Sequence, residues 1–266
     1  AGFWADYYAL EQLSIIQKNA TLKQELGGDE GIDAILEKNI RLGCNTCGTS
    51  PAPYLNPMDE YLRDVAYFAE NFATTQGASD VLNGSGIKSK QKWHVEGAAF
   101  MLRVIREMQL KQTDIASFEY KYADNDEAVE PNEREVDIYT VKRKLIECKS
   151  WAANGASFQK FVLGKGNSYE QFKDYLSEIQ DLDGLEYWFD KRKASEAEVK
   201  EKFRQLLYDE KTNTLTEKGK EVWKILENKT ALLEELGIAQ NETQKIQFAD
   251  LISKLDGKFY KFIYAK

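Results

Sequence analysis

Histidine is almost absent from this chain, since His94 is the only one in its 266 residues. A Ser-His-Asp triad would have to use this residue, and HNH-type nucleases and two-histidine ribonucleases need more than one histidine. Because only one histidine is present, phosphodiester chemistry on this chain would have to rest on carboxylates, lysine and a metal ion.

The chain also has no run of about 20 apolar residues, so we expect no membrane-spanning segment.

Cysteine is scarce as well, and the three residues are Cys44, Cys47 and Cys148. The Cys-x-x-Cys pair is compatible with half of a zinc site, a redox pair or a local disulfide. Zinc would need two further ligands, and residues 43–57 have the composition of a loop rather than of a redox strand-to-helix turn. These observations favour a local disulfide that closes the loop, or two unlinked thiols. Cys148 points to the core side of its predicted strand and is expected to be a small buried side chain.

The net charge of −8 argues against tight nonspecific binding of nucleic acid, which depends on cationic contacts to phosphate. The acidity is uneven: residues 1–84 hold five Lys and Arg against twelve Asp and Glu, whereas residues 85–150 are balanced. Together with the break at residues 83–86, this predicts an acidic helical region over 1–84 and a second domain over 85–266. Basic clusters lie at residues 88–92, 142–144 and 191–193.

Hydrophobic periodicity predicts an α+β (mixed α/β) fold. The central elements are a helix over 90–109, strands over 115–122, 133–140 and 144–150, a helical stretch to about 180, and a strand over 185–189. Before them we predict helices over 3–26, 31–42 and 57–75. After them we predict helices over 195–208, 216–228, 230–236 and 242–255, and a closing strand over 259–264. Ser195 is the expected cap of the helix that it precedes.

The second and third central strands carry the most informative residues. Residues two apart in a strand point to the same face, so Glu147 and Lys149 share one face while Ile146 and Cys148 share the other. If the strands pair, one face is apolar and the opposite one presents Asp137 together with Glu147 and Lys149. Two carboxylates beside a lysine suit Mg²⁺ and the activation of water for attack on phosphorus. An ordinary amphipathic hairpin stabilised by cross-strand charges is the alternative interpretation.

The residues Asp137 and Glu147-Cys148-Lys149, with apolar residues before the glutamate, resemble the PD-(D/E)xK superfamily of restriction-endonuclease-like nucleases. Family members often carry a glutamate on the first core helix, and Glu96 matches it. Some also carry Gln-x-x-x-Tyr on the helix after the Glu-x-Lys strand. Gln171 and Tyr175 have that spacing. The resemblance covers residues 88–175, and the family's Pro-Asp dipeptide is missing before Asp137.

The resemblance implies an αβββαβ core with helical additions at both ends. It implies that Asp137, Glu147 and the carbonyl of Cys148 hold Mg²⁺ or Mn²⁺. Lys149 would orient water or stabilise charge, and Glu96 would support a second metal ion or a bound water. Contacts to the substrate are expected from a further set, Lys144, Gln171 and Tyr175.

The same resemblance suggests two settings. One is the toxic domain of a secreted bacterial effector that is delivered into a target cell and neutralised by an immunity protein. The sequence does not begin with Met, and we interpret it as a fragment of a longer chain, which agrees with this setting. The other is a cytoplasmic enzyme of DNA defence or repair. DNA is the expected substrate, tRNA the alternative, and a catalytically inactive interaction module is the non-enzymatic alternative.

Overall fold

The structure is a computed structural model. It describes residues 11, 14–25, 28–30, 32–33, 58–72, 74–83, 92–123, 133–238 and 258–266. The expected helices over 31–42 and 242–255 lie largely or wholly outside these residues, and so do Cys44 and Cys47. Within the described part, no helix combines the length and apolar character that crossing a lipid bilayer requires.

A five-stranded mixed sheet, accompanied by helices, makes the fold α+β, as predicted. Its strands are hydrogen-bonded in the order β1-β2-β3-β4-β7, with β1 antiparallel to β2 and β4 parallel to β7. The strands of this sheet are β1 (Ile115–Ala123), β2 (Glu133–Thr140), β3 (Leu145–Lys149), β4 (Leu185–Phe189) and β7 (Ile263–Ala265). A separate antiparallel pair is formed by β5 (Tyr208–Asp209) and β6 (Thr214–Leu215).

Most of the predicted helices that fall within the described residues are present in the structure. Those before β1 are α1 (Ala20–Glu25), α2 (Met58–Phe72), α3 (Ala78–Asn83) and α4 (Lys92–Glu107), and α3 was not predicted. Those after β3 are α5 (Ala156–Val162), α6 (Asn167–Glu178), α7 (Glu196–Leu207), α8 (Glu217–Leu226) and α9 (Thr230–Glu235). The helical stretch that was expected to run to residue 180 is therefore two helices, because Gly164 and Gly166 take left-handed backbone conformations between them.

The contacts divide the chain into two compact units, the first comprising Ala1–Lys142 with Cys148–Ser150 and the second Arg143–Glu147 with Trp151–Lys266. The first unit has an apolar core between α2 and β1. The Phe118 ring lies 4.9 Å from that of Phe68 and 5.4 Å from that of Phe72. In the hairpin of β1 and β2, Phe118 is paired with Ile138. The boundary at 84/85 remains a prediction.

Two helices of the first unit are joined by an ion pair with one fully buried member. Asp64 of α2 has no exposed surface, and its carboxylate accepts a hydrogen bond from the guanidinium of Arg106 in α4. A buried carboxylate is tolerated only when it is paired and hydrogen-bonded. This pair therefore ties α4, the helix that carries Glu96, to the helix beside it.

The second unit is built around an aromatic core between helices and the strands β4 and β7. The Phe172 ring of α6 is 5.2 Å from Phe203 of α7, and Tyr187 of β4 is 5.8 Å from the same Phe203 ring. Phe262 lies 5.9 Å from Phe203 and completes the cluster. The core thus fixes α6 and α7 against β4.

Helix starts in the second unit follow the expected cap chemistry, whereas the closing strand is shorter than predicted. Ser195 accepts a hydrogen bond from the Glu198 backbone N–H, and the Glu198 carboxylate accepts one from the Ser195 backbone N–H, which is a capping box. The strand expected over 259–264 was wrong in its first half. Phe259–Phe262 forms a 3-10 turn, and three of its four side chains are buried instead of alternating.

Candidate active site

Asp137 projects from the face of β2 that was predicted to be polar. Its neighbours Val136 and Ile138 are fully buried, whereas Asp137 and Tyr139 are half-buried, so the alternation along β2 is as predicted. The Asp137 Oδ2 accepts a hydrogen bond of 2.6 Å from the backbone N–H of Cys148. A carboxylate held by a backbone amide has a fixed position, because the amide cannot rotate away.

Glu147 lies in a strand that is buried on both faces. Leu145, Ile146, Glu147 and Cys148 are all buried, and Glu147 is only 1% exposed. The sequence predicted one apolar face of β3 and an opposite face that carries Glu147 and Lys149. The structure buries Glu147 as well, and the Tyr175 side chain of α6 contacts its carboxylate. Cys148 is buried, as predicted.

The Glu147 carboxylate accepts a hydrogen bond of 2.6 Å from the Tyr175 hydroxyl. Tyr175 has no exposed surface and comes from α6. Burying a carboxylate costs free energy unless hydrogen bonds replace water, and O–H···O⁻ bonds of this length are among the stronger ones. Tyr175 was predicted to contact the substrate, which stays a prediction; in the structure its hydroxyl donates to Glu147. The helical partner Gln171 is half-buried one turn earlier.

The remaining predicted residues are distributed as follows. Lys149 is half-buried and ends β3. Glu96 is half-buried on α4 in the first unit. Lys144 directly precedes β3, and its Nζ forms an ion pair of 2.5 Å with Glu186 of β4. A phosphate that approached Lys144 would therefore compete with a carboxylate that is already in place.

Glu186 was not anticipated from the sequence. It is 9% exposed, and its Oε2 accepts a hydrogen bond from the Trp188 indole N–H. The segment 185–189 does indicate that Glu186 and Trp188 lie side by side, because residues two positions apart in a strand share a face. The apolar residues around them indicate a buried strand, which does not by itself predict the hydrogen bond between the two side chains.

A divalent cation requires oxygen donors. Within the described ranges, no group of three or more His, Cys, Asp and Glu side chains is arranged to hold a metal ion. Mg²⁺ commonly uses only one or two carboxylates and completes its shell with water and other oxygens. Carboxylate and carbonyl oxygens are donors of this kind, and the first unit offers those of Asp137 and Cys148 while the second offers those of Glu147.

Comparison with protein-family models, with curated proteins and with solved structures finds no match for this chain.

Proposed function

We propose that this chain is a metal-dependent nuclease of the PD-(D/E)xK type that hydrolyses phosphodiester bonds. The observation that carries the proposal is the 2.6 Å hydrogen bond between Asp137 and the backbone N–H of Cys148. Cys148 is the middle residue of Glu147-Cys148-Lys149, so the carboxylate of β2 is held at the centre of the Glu-x-Lys motif. An amphipathic hairpin has no need for such a bond between a side chain and the neighbouring backbone.

The order of elements supports the same proposal. The sequence α4, β1, β2, β3, then α6 and β4 is the helix, three strands, helix and strand that the resemblance calls for, with α5 as an additional helix after β3. The two carboxylates would stand on adjacent strands of the sheet order, which is the arrangement expected of the family.

Each residue has a role that its chemistry permits. Asp137, Glu147 and the carbonyl of Cys148 would hold Mg²⁺ or Mn²⁺, which supplies Lewis-acid stabilisation of the charge that develops on the phosphoryl oxygens. Lys149 would stabilise the same charge as a fixed cation or orient the attacking water. Tyr175 would hold the Glu147 carboxylate in one orientation. Glu96 would support the site from α4.

Cleavage of supercoiled plasmid and of total RNA by the purified chain, with Mg²⁺ or with EDTA, tests the proposal. We expect cutting with the metal only, and a loss of at least about 100-fold in Glu147→Gln and in Lys149→Ala, as for removal of a group that stabilises developing charge. Lys165→Ala, on a loop outside the motif, is the control. Cutting that persists in both motif variants, or that is absent from the wild-type chain on every substrate, would contradict the proposal.

An interaction module that has kept the fold without the chemistry is the second candidate. The observations that favour it are the nearly complete burial of Glu147 and the pairing of Lys144 with Glu186. Calorimetry with Mn²⁺ distinguishes the candidates, because the nuclease requires binding that Asp137→Asn abolishes. Absence of binding, or equal binding by the variant, favours the interaction module.

For the nuclease we propose DNA rather than tRNA as the substrate, and delivery into a target cell as a toxin with a cognate immunity protein. No residue of the motif reads base edges, so recognition would depend on shape and phosphate contacts. Parallel digests of plasmid and tRNA test the substrate.

Expression in bacteria tests the setting, since a toxin inhibits growth and Glu147→Gln relieves the inhibition. Harmless expression of a chain that cuts DNA in vitro would contradict the toxin setting alone.

A further inference from the structure

A cavity of about 640 Å³ lies in the second unit, where residues from the end of α6, the end of α8 and the start of α9 meet. Cavities of this size accept small organic molecules. Six of its eight lining residues are exposed, so the cavity is open to solvent. None of the residues assigned to the proposed nuclease lines it, and it therefore needs an explanation of its own.

The lining of the cavity is positively charged, although the chain as a whole carries a net charge of −8. It contains Lys224 and Lys229 and no aspartate or glutamate. Thr230 and Gln180 add a hydroxyl and an amide group to the same lining. Ammonium, hydroxyl and amide groups all donate hydrogen bonds, so the composition of the lining suits an anion rather than a cation.

Lys229 is held at the cavity by the end of α6. Its Nζ donates hydrogen bonds of 2.5 and 2.6 Å to the carbonyl oxygens of Ser177 and Ile179, which the end of a helix leaves without an intrahelical partner. An ammonium has three N–H donors, so one remains for a ligand. Burial lowers the pKa of Lys229 and the charge of Glu178 raises it in part. Both hydrogen-bond acceptors are neutral carbonyls, so they do not cancel the positive charge.

Lys224 differs from the other two lysines of α8. Lys218 and Lys220 are ion-paired with Glu221 and Glu217 at 2.7 and 2.6 Å. Lys224 is exposed and forms no ion pair within the described part of the chain. A lysine in the last turn of a helix complements the helix dipole. That effect explains a single lysine, but it does not explain why two of them line one cavity.

We propose that this cavity, which we call the α6–α8 cavity, binds a small organic phosphate through Lys224 and Lys229. The phosphate group lies at the two ammonium groups, and the organic part lies along the apolar lining residues Ile225 and Ala231. A phosphate monoester carries close to two negative charges at pH 7. It therefore balances both lysines, whereas a carboxylate balances one. The inference goes beyond the proposed nuclease and does not depend on it.

Isothermal titration calorimetry with phenyl phosphate tests the cavity, in EDTA so that no divalent ion brings phosphate to the proposed nuclease site. Phenol, benzoate and inorganic phosphate are the comparison ligands, and we expect each to bind more weakly than phenyl phosphate. Lys229→Met should weaken binding about tenfold or more, as for loss of a hydrogen bond to a charged group. Lys224→Ala, which removes an exposed charge, should weaken it about threefold. Lys220→Ala, on the same helix but outside the lining, is the matched control and leaves the affinity unchanged.

Several outcomes would overturn the proposal. Phenyl phosphate that binds no more tightly than phenol excludes an anion site, and equal binding of benzoate or of inorganic phosphate excludes an organic phosphate as the ligand. Affinity within twofold of wild type in both Lys224→Ala and Lys229→Met, or an equal loss in Lys220→Ala, excludes the α6–α8 cavity. Loss of binding in Lys149→Ala would place the phosphate at the proposed nuclease site instead. Thermal unfolding establishes that each variant is folded, and Lys224→Ala tests the cavity without touching the carbonyls at the end of α6.

Discussion

Helix α6 holds two glutamates through two tyrosines, and the two arrangements differ. Tyr169 donates a hydrogen bond of 2.8 Å to Glu221 of α8, and Tyr175 donates one of 2.6 Å to Glu147 of β3. Both tyrosines are fully buried. The carboxylates are not equally covered, because the Glu221 side chain is 38% exposed whereas Glu147 is 1% exposed.

The partly exposed glutamate belongs to a charge network that explains its presence. Glu221 is 2.7 Å from Lys218 and 3.2 Å from Lys173, and each of these ammonium groups lies 4.9 Å from the centre of the Tyr169 ring. The hydrogen bond from Lys218, followed by those from Tyr169 and Lys173, lowers the pKa of Glu221 to about 2 against the effect of burial. Burial, then the bond to Glu221, raises the pKa of Tyr169. This network stabilises the packing of α6 on α8.

The buried glutamate calls for a different explanation. A glutamine at position 147 would accept the same hydrogen bond from Tyr175 without placing a charge in the interior, where charge is costly. Retention of a carboxylate there is consistent with chemistry that needs one. We therefore interpret the Tyr169–Glu221 pair as structural and the Tyr175–Glu147 pair as part of the proposed catalytic site, and the following changes are designed to separate them.

The largest expected effect comes from Gly219→Ala, which disturbs the Tyr169–Glu221 pair by displacing the backbone of α8. Gly219 lies in α8 where that helix approaches α7, and a Cβ atom at Gly219 would be 2.1 Å from the carbonyl oxygen of Leu207. Gly219→Ala must push α8 away and carry Glu221 from Tyr169. We expect a loss of about 3 kcal/mol in the free energy of unfolding, the upper part of the range for overpacking, measured by urea denaturation.

Gly97→Ala is the control for this change. Gly97 is also helical, in α4, but a Cβ atom added there would meet nothing within 4 Å among the described residues outside the helix's own backbone. Alanine at this position gains helix propensity and should stabilise the chain by about 0.5–1 kcal/mol. Equal destabilisation by the two substitutions would mean that the close approach of α8 to α7 is not what Gly219 provides.

The second-largest expected effect is a loss of cleavage activity, which should differ between Tyr175→Phe and Tyr169→Phe. Tyr175→Phe removes only the hydroxyl that orients Glu147, and partners of this kind typically contribute 10–100-fold to metal affinity or activity. We expect cleavage to fall about tenfold and the Mn²⁺ concentration needed for half-maximal cleavage to rise. Tyr169→Phe makes the same chemical change on the same helix and should leave both quantities unchanged. Equal cleavage by Tyr175→Phe and Tyr169→Phe would contradict a positioning role for Tyr175.

Much of the fold was predictable because it depends on local pattern. The strands Ile115–Ala123 and Glu133–Thr140 were found within one residue of their predicted ends, and Ser195 caps its helix as expected. These features follow from side-chain alternation and cap chemistry. The turn Phe259–Phe262 was missed, since four consecutive residues rich in aromatic side chains satisfy a strand pattern and a buried turn equally well.

The residues of the candidate site stay predictions, and their partners could not be predicted from the sequence. Asp137 and Glu147 were chosen from strand alternation and from the resemblance. The hydroxyl of Tyr175 at Glu147 joins residues 28 positions apart, and Lys144 and Glu186 are 42 apart. Such pairs depend on how α6 and β4 pack, which no local pattern contains. The helical spacing of Tyr175 from Gln171 therefore gave no indication of its hydrogen bond to Glu147.

The smallest expected effect is the dependence of the structural pair on pH. The pKa of Glu221 is lowered in the folded chain from 4.5 to about 2, so its contribution to stability is complete above pH 4.5 and is lost as the pH falls towards 2. Because the side chain is partly exposed to solvent, we expect Glu221→Gln to cost only about 1 kcal/mol at pH 7. Urea denaturation at pH 7, 5.5, 4 and 3 should show a constant difference from wild type at the first two values and a shrinking one below. Glu217→Gln, which removes a more exposed lysine-paired glutamate of the same helix, should change stability little at pH 7. A difference for Glu221→Gln that stays constant down to pH 3 would show that its charge is not what joins α6 to α8.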